Sequence, residues 1–365
     1  MAATYIYAII PTGKELIFDV AGVDDDHDEV YSIPHRNIAA VVSASPLMDY
    51  RGLKRDQAVQ HLVAHQRVVE AVMQEFPLLP VKFGTVLPDE VWVRRLLEQG
   101  EALFCTSLER FANLVQMEVV VLWNLQEVFQ EVGQEEPIAR LKAQVATRAP
   151  EETMSERVAI GQMVQASLQR RRDVLRDRLL PRLREVALDL VANALMDDSM
   201  VLNVALLVDR AGQEALDRRL QALDEEFGGR FRFRRVGPLP PYSFSTVEVQ
   251  VPSFEAVDEA RRRLGLGETV SLDKIRRAYH RLAGQMHPDH NPDDPQAKAR
   301  IAELTRAYEF LTTYAETVQR GGAAEERRGR GEHPSTPAPL LPCTFSREGV
   351  ERTLLIAIRR QEMVA

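Results

Sequence analysis

Apolar residues gather in short continuous runs at the start of the chain and then in helical stripes. The run ATYIYAII at residues 3–10 ends at Pro11, and the run IAAVVS at 38–43 precedes Pro46; both are rich in β-branched or aromatic side chains, which predicts two strands. Between residues 53 and 76, Val59, Leu62, Val63, Val69, Val72 and Met73 recur at helical spacing, and Pro77 closes the segment. A second helix, from residue 89 to about 97, follows Pro88, and VQMEVVVLW at 115–123 reads as a buried strand. Strands and helices mixed in this way predict an α+β domain over residues 1–130.

Residues 136–198 read as helical, with periodic Leu and Val among many Arg and Glu. A strand at 201–208 follows, then a helix with Leu216, Leu220 and Leu223 on one stripe and Gly228 as its C-cap. RFRFRRV alternates as a half-exposed strand, the prolines of GPLPPYSF keep that stretch out of a helix or a central strand, and STVEVQV resumes as a strand. These elements make 131–252 a helical segment and a second α+β domain. From residue 254 the pattern turns to helices alone, up to about 317. Residues 319–340 are rich in Gly, Pro and charge and read as a flexible linker. In the tail, 341–365, Ser346 is a candidate N-cap, and the run TLLIAI fits strand and helix equally.

Composition narrows the class. At 365 residues the chain exceeds one ordinary core, and 45% apolar with 27% charged residues is globular rather than disordered. A formal charge of -8 argues against global nucleic-acid binding. No apolar run approaches the ~18 residues of a membrane span, so no membrane partner is expected. Cys105 and Cys343 are too far apart in sequence for a C-x-x-C pair, a zinc ribbon or a disulfide framework, and suit a reducing cytoplasm.

The candidate chemistry centres on QMHPDHNPDD at residues 285–294. Before it, Ile275, Ala278, Tyr279, Leu282 and Met286 form one apolar stripe, while Lys274, Arg276, Arg277, His280 and Arg281 occupy the other face. Four Lys and Arg charges against the single Asp273 leave that helix at +3 (4 − 1). After it, Ile301, Leu304, Ala307, Tyr308 and Leu311 make a matching stripe, so an antiparallel helical hairpin with an exposed HPDHNPDDP connection is predicted. His287, Asp289, His290 and Asp293 are ligand types for zinc or manganese, but no regular scaffold converges them. His61 and His65 in HLVAH have zinc-protease spacing, yet Leu62 stands where the general base would be. GLGETV lacks the third glycine of a dinucleotide loop, and no nucleophile elbow or P-loop occurs. No enzyme activity, metal or cofactor is therefore expected.

LGL at 264–266, the IRRAYHRLAGQMHPDHNPDD helix and loop, and ELTRAYEFL occur in the order and spacing of the J-domain of DnaJ-type co-chaperones, which residues 255–316 resemble. The resemblance makes His287, Pro288 and Asp289 the signature tripeptide. It also makes the face bearing Lys274, Arg276, Arg277 and Arg281 the surface that meets a DnaK-type chaperone. The first helix, DEARRRLGL, departs from the family's aromatic-rich opening.

Along residues 4–250, YIYAII, IAAVVS, LPVKFGTVLPDE, VLNVALLVDR and VGPLPPYSFSTVEV resemble, in order, the gas-vesicle accessory proteins of the GvpF/GvpL family. This resemblance implies two α+β domains, no enzymatic activity, and a role in assembling the shell through contact with its small hydrophobic protein and with other accessory proteins. Leu122 and Trp123 stand where relatives have a lysine-containing ending. Phe83 and Gly84 read either as a core anchor with a positive-φ turn or as a contact site. Gly237, Pro238, Pro240, Pro241, Tyr242 and Phe244 form a proline-braced turn that suits partner contact or sheet bracing. The leading expectation is a cytoplasmic, gas-vesicle-associated assembly factor with its own J-domain. The competing expectations are a structural vesicle protein without chaperone coupling and, more weakly, a metal-dependent hydrolase.

Overall fold

The computed structural model describes residues 3–23, 29–46, 50–286, 296–330 and 342–361. The chain forms two compact units, residues 1–110 with 245–359, and residues 111–244 with 360–365. The units are therefore not the consecutive domains that the sequence suggests.

In the first unit β1 (Ala3–Ile10) is buried at every position, which is why its apolar run is unbroken. It lies inside an antiparallel sheet with β2 (Ile17–Ala21), β3 (Glu29–His35), β4 (Ile38–Ser45), β5 (Leu79–Pro80) and β6 (Val86–Leu87). The order is β2-β3-β4-β1-β5, with β6 also pairing β1. The apolar pattern does not announce β2 and β3: the first is a five-residue edge with Ile17 exposed, and the second carries Pro34.

Helix α1 (Arg55–Glu75) departs from its predicted stripe. Its buried residues, His65, Val68, Val69, Val72 and Met73, all lie in the second half, whereas Val59, Leu62 and Val63 are 51%, 46% and 52% exposed. Beneath the buried half, the Gly84 amide donates to the Tyr5 hydroxyl at 3.0 Å, and the Tyr5 hydroxyl meets His65 Nδ1 at 3.0 Å. Because that hydroxyl accepts from Gly84, its own proton is available to His65, which suits a neutral imidazole. Tyr7 stacks on His65 with centroids 5.6 Å apart. Helix α2 (Glu90–Phe111) outruns its predicted end because Gly100 makes room for the buried Phe104 ring.

The second unit holds β7 (Leu114–Trp123), α3 (Leu125–Gly133), α4 (Glu136–Ala146), α5 (Met154–Arg184), β8 (Asp189–Ala192), β9 (Met200–Asp209), α6 (Gln213–Glu226), β10 (Phe231–Leu239) and most of α7 (Tyr242–Ser245). Its sheet order is β10-β7-β9-β8. Alternate β7 residues, Val115, Met117, Val119 and Val121, join Leu168, Leu179 and Leu183 of α5 and Leu216 and Leu220 of α6 in one core. Strand β8 corrects the helical reading of 136–198, since four residues are too few to display a period against flanking helices. The turn Tyr242–Ser245 is helical for one turn, after the prolines rather than through them.

The next strand, β11 (Thr246–Gln250), returns to the first unit instead of completing the second. There Val247 bridges Val81 in parallel, and the Lys82 amide donates to the Val247 carbonyl at 2.9 Å. A helical module follows: α8 (Phe254–Arg263), β12 (Thr269–Val270), α9 (Leu272–Met286) and α10 (Ala297–Arg330). Helix α10 continues through residues 319–330, where a linker was expected; AAEERR supplies strong helix formers that outweigh the preceding Gly pair. Residues 331–340 of that expected linker lie outside the described residues. The tail forms β13 (Cys343–Thr344), α11 (Arg347–Glu351) and β14 (Leu355–Arg359). Ser346 does cap α11, accepting from the Gly349 amide, and TLLIAI resolves as strand, pairing with β11 along Thr246–Gln250.

Burial pushes the His65 imidazole down to about 4 from 6.5, partly offset by a hydrogen bond with the Val81 backbone. The folded chain thus takes up this proton less readily than the unfolded one. Its contribution is complete above the unfolded value and is lost as pH falls from about 6.5 towards about 4, on the order of 3 kcal/mol over the window. Urea unfolding at pH 7 and pH 5 should show wild type losing roughly 2 kcal/mol more than His65→Gln between those two values. An identical pH dependence in the two proteins would contradict a desolvated His65.

Candidate functional site

The helical hairpin forms as its stripes require. Ile275 and Ala278 of α9 are buried, with Tyr279, Leu282 and Met286 packed against the same core as Leu304, Ala307 and Leu311 of α10. Tyr279 stacks on Tyr308 at 4.2 Å and 16°, and its hydroxyl lies 3.2 Å from Thr305 Oγ1. This packing turns Lys274, Arg276, Arg277 and Arg281 outward, and all four are exposed. Among the described residues none of them has an acidic partner; Arg277 Nε donates to the Asp273 carbonyl at 3.3 Å. Among the described residues the face is a cationic strip with no acidic partner. His287, Pro288 and Asp289, which follow it, lie outside the described residues, as do His290 and Asp293 of the metal reading.

Helix α8 begins at Ser253, whose side chain accepts from the Ala256 amide. Asp258 holds Arg261 and Arg262, and Arg261 also donates to the Leu266 carbonyl, which fixes the LGL turn against the helix end. The core receives Val257, Ala260 and Leu264 from this helix, and Cys343, Phe345, Val350 and Leu355 from the tail.

The N-terminal candidates are drawn into the fold. Phe83 stands edge-on to Tyr50 and His65, and Gly84 has φ +79 with Tyr50 close to where a Cβ would project. Gly237 has φ +128, and a Cβ there would lie 2.9 Å from the Gln116 carbonyl. Gln116, buried, accepts from the Ser243 amide at 2.9 Å; Pro240, Pro241 and Phe244 are buried, Tyr242 is half-buried and Pro238 is exposed. These residues brace their own units and leave Pro238 as the outward point of the turn.

Two features escaped the sequence reading. Val59, Leu62 and Val63 form an outward apolar patch on α1, although their spacing is that of a core stripe. In the second unit a cleft of about 310 Å³ is floored by Trp123, Val128, Leu175 and Phe231. At its mouth Arg171 spans Glu131 and Glu135, and Arg230 pairs with Glu131. The arginine density of α5 was visible in the sequence, but the acids that pair it lie on α3 and beyond.

His61 Nδ1 lies 2.9 Å from the Val23 carbonyl while His65 meets Tyr5, so the paired histidines serve different partners. Among the described residues no three His, Cys, Asp or Glu side chains cluster as a metal site. Burial pushes the Cys343 thiol up to about 12 and also raises that of Cys105, which disfavours a nucleophilic thiolate at either. Among the described residues no helix is long and apolar enough to cross a membrane.

Comparison with known proteins places two family models on the chain. The family model "Gas vesicle synthesis protein GvpL/GvpF" matches residues 3–246, and the model "DnaJ domain" matches residues 262–317. Gas vesicle protein F of Microcystis aeruginosa (strain PCC 7806) is 28% identical over 251 residues, 66% of this chain and 97% of that protein. Human DnaJ homolog subfamily B member 11 is 43% identical over 63 residues, 17% of this chain and 18% of that protein. The crystal structure of GvpF from Anabaena sp. PCC7120 superposes with a TM-score of 0.53 at 22% identity, covering 67% of this chain and 98% of that one, which extends the likeness to the fold. The mixed α/β fold, the family region that fills two thirds of the chain and the helical hairpin behind it agree: this protein belongs to the gas vesicle GvpL/GvpF family and carries a DnaJ domain after the family region.

Proposed function

We propose that this protein is a gas-vesicle assembly factor that binds the shell protein through its GvpL/GvpF region and recruits a DnaK-type chaperone through its J-domain. The observation that carries the reading is the cationic face of α9. Lys274, Arg276, Arg277 and Arg281 stand without acidic partners among the described residues, directly before His287-Pro288-Asp289, in a chain whose net charge is -8. An acidic surface on a partner would be drawn to such a face, and Asp289 would add a short-range, charge-assisted bond to a partner arginine. The work is binding and delivery, with no covalent step. Shell subunits are small and hydrophobic, so a chaperone brought to them as they are made would hold them from aggregation. For the shell contact, the apolar patch of Val59, Leu62 and Val63 on α1 is the surface we favour, since Phe83, Gly84 and most of the 237–244 turn already serve internal packing.

Two outcomes follow. Single-turnover ATP hydrolysis by a DnaK-type chaperone should be stimulated by the wild-type protein. Asp289→Asn should cut that stimulation about tenfold or more, from the loss of roughly 1.5 to 3 kcal/mol. Replacing Arg276, Arg277 and Arg281 by Ala should slow association and flatten its salt dependence. Stimulation untouched by Asp289→Asn would overturn the role given to Asp289, and no stimulation by the wild-type protein would favour a vesicle protein without chaperone coupling.

Separately, Leu62→Lys with Val63→Lys should abolish capture of shell protein, with thermal stability shifted by no more than about 0.5 kcal/mol per site, because both side chains are already exposed. Capture at wild-type level would move the shell contact elsewhere on the chain.

A further inference from the structure

We propose that residues 342–359 are a strap: they complete the core of the J-domain and fasten that domain to the sheet of the first unit, so the cationic face of α9 is held at one fixed orientation to that sheet. These residues lie beyond both matched regions, 3–246 and 262–317.

The strap first enters the helical module. Cys343 and Val350 are wholly buried, Phe345 is 3% exposed, and all three belong to the core shared by α8, α9 and α10. Strand β13 pairs with Thr269 and Val270, immediately ahead of α9. The Phe345 amide donates to the Glu268 carbonyl at 2.9 Å, and the Tyr314 hydroxyl of α10 donates to the Thr344 carbonyl at 3.0 Å. The segment that leads into the docking helix and the helix that backs it are thus clasped by the same few residues. From α8 the buried apolar side chains are Val257, Ala260 and Leu264, a modest share that the strap's Phe345 and Val350 supplement.

It then leaves the module and forms a two-stranded sheet with β11, which an isolated bridge at Val81 joins to the sheet of the first unit. The Leu354 amide donates to Gln99 Oε1 of α2 at 3.2 Å, and Leu354 and Ile356 are buried. Strand β14 pairs antiparallel with all five residues of β11, and β11 in turn bridges Val81 beside β5. A tethered domain would show neither the shared core nor the continuous ladder. Here the fastening has two ends, one in each body, and the sequence between Phe345 and Ile356 spans both. The inference does not depend on which chaperone or client is bound.

The test uses the full chain with a protease site inserted among residues 332–340, cut after folding. The C-terminal fragment should remain with the rest on size exclusion, and amide exchange in α9, α10 and β11 should match the uncut protein. A fragment that leaves while protection in those elements collapses supports the same role. A fragment that leaves with protection unchanged overturns it. On the uncut chain, Phe345→Ala with Val350→Ala should speed exchange across α8–α10 by about tenfold or more, and leave β7 and β9 of the second unit as in wild type. Wild-type exchange in α8–α10 would likewise overturn the strap; if that variant does not fold, the cut chain decides.

Discussion

Strand β11 is hydrogen-bonded on both sides, and the arrangement of everything beyond it follows from that. Val247, wholly buried, bridges Val81 on one flank and faces Ile358 of β14 on the other. A strand of five residues with one open flank would leave a row of backbone donors and acceptors to water or to a stray partner. Closing it with residues 355–359 makes the segment before them return past the helical module, and in returning it becomes part of that module's core. The single constraint of a satisfied backbone therefore sets the path of the last twenty described residues.

The charge distribution has the same economy of placement. In the second unit, several arginines are neutralised in place: Arg171 between Glu131 and Glu135, Arg172 against Asp198, Arg219 against Glu185, Arg235 against Asp217. Most of these pairs are exposed and individually worth little, but together they cancel the local field. Helix α9 lacks such cancellation among the described residues. Among the described residues a positive strip is thus left along α9 on an acidic protein, and its range is set by salt.

How much of this was legible depended on the distance over which each element is specified. Strands β1, β7 and β9 were readable because burial on both faces or strict alternation marks them locally, and the hairpin of α9 and α10 because two stripes match across a short connection. The outward turn of Lys274, Arg276, Arg277 and Arg281 follows from the inward turn of Ile275 and Ala278, so the cationic face was readable too. Strand β8 was hidden by its helical flanks, and β14 by an apolar run whose state is decided by residues 246–250, far outside any window. Helix α1 misled for a different reason. Period records which side chains share a face, not whether anything lies against it, and the first half of that face meets no core. Gly237 and Phe244 suggested a contact loop on chemistry that the buried Gln116 instead uses to hold the turn.

The order in which a ribosome releases the chain gives the J-domain core one more property. Residues 3–246 can emerge and begin to fold while α9 is still being made, since N-terminal domains generally fold first. The core around α8, α9 and α10 must wait for Phe345, Val350 and Leu355, which are translated after all three helices. A nascent or prematurely terminated chain would therefore expose a finished N-terminal sheet without a finished chaperone-docking module. Completion of that module reports that translation has passed residue 355.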